Sequence, residues 1–98
     1  TWIIQLDLNG ILISNATRGT SGTNEYAYGA DISGDDYIMT GSGNQSSSWD
    51  KDIYIVQDHG SGVSSWTYGV GTSTGHDEGR DVAFTADGGA IITGYTDT

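Results

Sequence analysis

Apolar residues along this chain come in short runs, as in Trp2-Ile3-Ile4-Gln5-Leu6, Ile11-Leu12-Ile13, Tyr37-Ile38-Met39 and Ala90-Ile91-Ile92. Gly, Asn, Asp and Ser bound the runs, and the three- and four-residue spacing of an amphipathic helix does not recur. The pattern predicts eight strands, at residues 2–7, 11–17, 26–32, 37–41, 53–57, 63–69, 81–85 and 90–95. Leu8-Asn9-Gly10 and Ala86-Asp87-Gly88-Gly89 place Asn, Asp and Gly where a tight turn needs positive φ, so each predicts an antiparallel hairpin. Several runs lack the in-out alternation of a sheet with one wet face. Strands of that kind are covered on both sides.

The chain repeats itself. Displaced by 52 residues, Ile3 falls on Ile55, Gln5 on Gln57, Gly10 on Gly62, Gly19 on Gly71 and Thr20 on Thr72. Displaced by 53, Glu25 falls on Glu78, Ala30 on Ala83, Ile38 on Ile91, Thr40 on Thr93 and Gly41 on Gly94. Trp2 with Tyr54, Ile4 with Val56 and Ile11 with Val63 are conservative matches, and the one-residue slip is expected between residues 20 and 25, in a loop. Four antiparallel strands repeated at about 50 residues is the sequence pattern of a β-propeller blade. The expected fold is all-β, with one four-stranded blade in residues 1–51 and a second in residues 52–98.

The second unit resembles a β-propeller repeat family of bacterial proteins labelled SBBP, for seven-bladed β-propeller. The resemblance rests on Asp52 through Gln57, Gly62, Trp66, Gly69, Gly71, Asp77, Asp81-Val82-Ala83, Asp87-Gly88 and Ile92-Thr93-Gly94-Tyr95-Thr96. It covers nearly the whole chain, twice. Asp58-His59 stands where the family has an apolar residue and then Asp, and the first unit has Gly34-Asp35-Asp36 in place of the Asp-Gly turn. The resemblance implies a secreted or surface-exposed bacterial or archaeal protein, often large and repetitive, of mostly non-enzymatic or unknown role.

Composition narrows the partners. The 98 residues hold no Cys, so neither a disulfide nor a thiolate metal site can staple so small a chain. Thirteen acidic residues stand against Arg18, Lys51 and Arg80 alone, for a net charge of −10. That balance repels phosphate backbones, so nucleic acid is not an expected partner. No run of 18 apolar residues offers a membrane span, so no membrane insertion is expected either.

Two blades cannot close a ring, and each end of a two-blade stack leaves an apolar sheet face open. The expectation is therefore a non-enzymatic, extracellular structural module that joins copies of itself head to tail, into a ring or a filament. Trp2, Ile4 and Tyr95 are the assembly residues this expectation names. Thr96-Asp97-Thr98 followed by Thr1-Trp2-Ile3-Ile4 would resemble the internal junction Trp49-Asp50-Lys51-Asp52-Ile53-Tyr54-Ile55, which also suits a chain continued by another copy. A glycan-binding, lectin-like propeller is one alternative, with Trp49 in the polar segment 43–51 as its contact. A fragment of a larger secreted propeller protein is another.

Three further candidates have a defined chemistry. Asp31, Asp35 and Asp36 crowd carboxylates into one turn, the hard oxygen donors that suit Ca²⁺, though without the alternating order of a calcium loop. Asn15-Ala16-Thr17 and Asn44-Gln45-Ser46 fit the N-glycosylation triplet at Asn15 and Asn44. His76-Asp77-Glu78 and Asp58-His59 bring a base beside a carboxylate, but no nucleophile motif accompanies them, so no catalytic residue and no resident cofactor is expected.

Overall fold

A computed structural model describes residues 1–19, 23–44, 51–59, 65–72 and 75–97. All eight described elements are strands: β1 (Trp2–Leu6), β2 (Leu12–Thr17), β3 (Glu25–Ser33), β4 (Asp36–Gly43), β5 (Asp52–His59), β6 (Ser65–Val70), β7 (Asp77–Phe84) and β8 (Ala90–Thr96). The fold is all-β, every strand pair is antiparallel, and among the described residues there is no helix, nor one long and apolar enough to cross a membrane.

The grouping into sheets differs from the expected pair of four-stranded units. One four-stranded sheet runs β3-β4-β5-β6, flanked by the two-stranded hairpins β1-β2 and β7-β8. The ladder between β4 and β5 straddles the expected boundary at residue 51, from Asp36 opposite His59 to Gly43 opposite Asp52. A sequence period fixes the length of a repeating unit but not its phase. Here the four-stranded sheet begins half a repeat into the first unit and ends half a repeat into the second.

The turns follow the sequence. Gly10 and Gly88 have φ of 79° and 88° in the two hairpins that were expected to need it. Asp7 Oδ1 accepts the amides of Asn9 and Ile11, and Asp87 Oδ1 accepts the amide of Gly89, so each loop is tied by its own carboxylate.

The registers relocate the slip between the repeats. Ala27 lies opposite Gly41 as Gly79 lies opposite Gly94, and Ile32 lies opposite Tyr37 as Phe84 lies opposite Ala90. An offset of 52 therefore holds through β3 and β7, pairing Ala30 with Val82, and changes to 53 only across the following turn. That turn is one residue longer in the second repeat. Both β3 and β7 carry a bulge at matching places, between Ala27 and Gly29 and between Gly79 and Asp81. Gly41 and Gly94 face these bulges, where a Cβ would overlap the carbonyls of Tyr26 and Glu78. β7 begins at Asp77 rather than at the expected 81: its first half, Asp77-Glu78-Gly79-Arg80, is polar and carries no apolar signal.

The central sheet is apolar on both faces, as the unalternating runs implied. On one face Ile38 and Ile55 pack with Val82 of β7, joined by Ile53, Phe84 and Ile92. On the other, Met39, Tyr54 and Val56 pack with Ile3 of β1. The result is three layers, with a hairpin on each side of one full sheet.

Candidate assembly surfaces

The β1-β2 hairpin is held to the central sheet by Ile3 and by a polar strut. Arg18, just past β2, pairs with Asp58 of β5, and the Tyr37 hydroxyl donates to the same carboxylate oxygen at 2.7 Å. Asp58 is buried, so the strut is largely desolvated at its acidic end. On the far side, Phe84 donates its amide to Asp31 Oδ2 at 2.8 Å, clasping β7 to β3.

Beyond these attachments the outer surfaces expose several large apolar side chains. In β1 the exposed positions alternate, with Trp2, Ile4 and Leu6 pointing away from the central sheet and Ile3 and Gln5 toward it. Ile91 and Tyr95 are exposed on β8. The repeat turns this into a comparison. Trp2 is 65% exposed where its equivalent Tyr54 is 2%, Ile4 is 48% where Val56 is 0%, and Ile91 is 59% where Ile38 is 1%. The three assembly residues expected from the sequence, Trp2, Ile4 and Tyr95, all lie on these open surfaces.

A groove of about 500 Å³ opens between β1 and the central sheet. One wall is β1 from Trp2 to Leu6; the floor is Ala27, Ala30, Ile32, Tyr37 and Met39, with Asp31 at its side. Neither β1 nor β8 has a second hydrogen-bonded neighbour among the described strands, so each offers a free edge.

The three basic residues are each engaged: Arg18 with Asp58, Lys51 over the Tyr26 ring at 5.0 Å, and Arg80 over the Tyr28 ring at 5.1 Å and paired with Glu78. Asp77, buried at the start of β7, accepts hydrogen bonds from the Thr96 side chain and from the amide and hydroxyl of Thr72, which hold its carboxyl below the usual range.

The remaining sequence candidates sort as follows. Asp31, Asp35 and Asp36 do not form a metal-binding group among the described residues, and both Asp31 oxygens accept backbone amides, from Ile32 and Phe84. Asn15 is exposed opposite Ile4, and its Oδ1 accepts from Trp2 Nε1 at 2.7 Å. A sugar on Asn15 and a neighbour packed on Trp2 would exclude one another. Asn44 is half-buried, while Gln45, Ser46 and Trp49 lie outside the described residues. Of the two base-carboxylate pairs, Asp58 and Asp77 are both committed to the structural contacts above. The groove itself was missed by sequence reasoning, because its two walls belong to strands that no local pattern places together. Comparison with protein-family models, with curated proteins and with solved structures finds no match.

Proposed function

We propose that this chain is a structural module of β-propeller type, secreted or surface-exposed and non-enzymatic, whose work is to join copies of itself through blade faces and strand edges. One observation carries this reading: equivalent positions of the two repeats are buried where a neighbouring layer exists and exposed where none does. The chain supplies its own control, since the burial of Tyr54, Val56 and Ile38 supports a covered environment for their counterparts Trp2, Ile4 and Ile91. The half-repeat offset of the sheets supports the same reading. The full sheet is a blade, and each hairpin is half of the next blade along.

The energetics suit association. Full burial of a large apolar side chain is worth about 1.5–3 kcal/mol, so five or six half-exposed ones offer several kcal/mol before the costs of docking. Head-to-tail joining is heterologous, and closes into a ring or continues as a fibre according to the rotation per copy. Light scattering tests it: the wild-type chain should show a mass well above one chain at micromolar concentration, and a Trp2→Ser, Ile4→Ser variant should fall back toward a single chain. A wild-type mass of one chain throughout would remove the proposal.

A further inference from the structure

The groove beside β1 has an occupant written in the other half of the chain. Its floor residues Ala27, Ala30, Ile32, Tyr37 and Met39 are the repeat equivalents of Gly79, Val82, Phe84, Ala90 and Ile92. Of that second set, Val82, Phe84 and Ile92 pack on the central sheet, and Gly79 lies close against Thr40 and Ile53. The floor is thus the same surface, one repeat earlier, covered only by β1-β2, the counterpart of the β5-β6 half of the sheet that the second set packs on. The wall repeats the logic: β1 is the equivalent of β5, and β5 pairs along its edge with β4, whose own equivalent is β8. Both β1 and β8 have the corresponding edges free.

Resting on the reading of the chain as a self-associating module, we propose that the groove receives the β7-β8 hairpin of a second copy, β8 of that copy pairing antiparallel with β1. The β4-β5 ladder fixes the register. Thr40 opposite Ile55 and Met39 opposite Val56 become Thr93 of the second copy opposite Ile3 and Ile92 of the second copy opposite Ile4. By the same rule Ala90 stands opposite Leu6, Ile91 opposite Gln5 and Gly94 opposite Trp2. This register completes a four-stranded sheet from two half-blades. It turns Ile91 of the second copy toward Ile3, Ala30 and Ile32, as Ile38 is turned toward Ile55, Val82 and Phe84. A slip of one residue would send Ile91 to the other face. Strand addition at a free edge supplies the backbone hydrogen bonds, and the groove supplies side-chain selection.

The chain has no Cys, so single cysteines report the register cleanly. Directly opposed strand residues lie within disulfide range, whereas a pair one residue out of register has side chains on opposite faces. Proteins carrying Leu6→Cys and Ala90→Cys are mixed under mild oxidation, as are proteins carrying Gln5→Cys and Ile91→Cys; a mixture of Leu6→Cys with Ile91→Cys is the out-of-register control. Leu6, Ala90 and Ile91 are exposed and Gln5 is half-exposed, so the substitutions spare the core. The expected result is a mixed disulfide dimer, with loss of free thiol, from both aligned mixtures and not from the control. Cross-linking of the control as readily as the aligned mixtures, or of Leu6→Cys with itself alone, overturns the register. If light scattering shows association while neither aligned mixture cross-links, the groove and its register fall and the self-associating module stands. If the chain is a single copy throughout, both fall.

Discussion

Trp2 and Tyr54 occupy the same position of the repeat, Trp2 on the free-edged β1 and Tyr54 on the inner strand β5, and only Tyr54 has a layer over it. The difference lies in what surrounds the residue rather than in the residue. Truncating each should therefore separate folding from association. Tyr54→Ala removes a fully buried ring and should lower the unfolding free energy by about 3–5 kcal/mol in urea titration. Trp2→Ala should change it by no more than about 0.5 kcal/mol under dilute conditions while weakening association by tenfold or more, on the order of 1.4 kcal/mol.

Association between two chains of net charge −10 works against their repulsion. If apolar surfaces and strand edges drive it, added salt should strengthen it by screening that repulsion. The dissociation constant measured at low and at high sodium chloride should fall as salt rises. A contact built on opposite charges would respond in the other direction.

The strut at Asp58 makes a third prediction. Its carboxylate serves both the Arg18 guanidinium and the Tyr37 hydroxyl from a buried position. Asp58→Ala leaves both donors short of an acceptor and should cost about 1–3 kcal/mol, with the β1-β2 hairpin loosening first. Tyr37→Phe removes one donor only and should cost about 1 kcal/mol. Denaturant midpoints order the two variants, and amide exchange in β1 and β2 locates the effect.

Asp77 sets an acid limit. Hydrogen bonds from Thr96 first, then from Thr72, lower its pKa below the ordinary 3.8. A carboxyl depressed in the folded state contributes stability that is fully present above its unfolded pKa and is lost as pH falls through the folded one. The stability of the wild-type chain should thus decline as pH drops below about 4, and Asp77→Asn should flatten that decline. Asp87, lowered by the Thr85 hydroxyl and the Gly89 amide, adds to the same trend. Thermal midpoints of the two proteins between neutral and strongly acidic pH provide the comparison.

The strands, the hairpin turns and the two-sided apolar sheet could be read from the chain because each is local: a run of apolar residues, an Asn-Gly or Asp-Gly turn, a missing alternation. The repeat was legible for the same reason, from Ile3 with Ile55 to Gly41 with Gly94. Its phase was not, since whether β4 pairs onward with β5 depends on a tertiary choice that no window of sequence contains. The polar residues Asp77-Glu78-Gly79-Arg80 hid half of β7, and the identities of Glu25 with Glu78 and of Ala30 with Ala83 hid where the two repeats slip against one another. Trp2, Ile4 and Tyr95 were named from the sequence because strands with apolar residues on both faces need cover on both faces, and all three are exposed. The groove needed the fold, because Leu6 and Ile32 line one groove only when a hairpin is laid across a sheet.

The central claim is that the outer edges of β1 and β8 are joined by another copy. Residue-resolved amide hydrogen exchange at a series of protein concentrations measures it directly. Protection of the β1 and β8 amides that lack partners within one chain should rise steeply with concentration, while the β4-β5 ladder stays protected throughout. Exchange at those edges as fast as in an open strand at every concentration, with the central ladder intact, would contradict it.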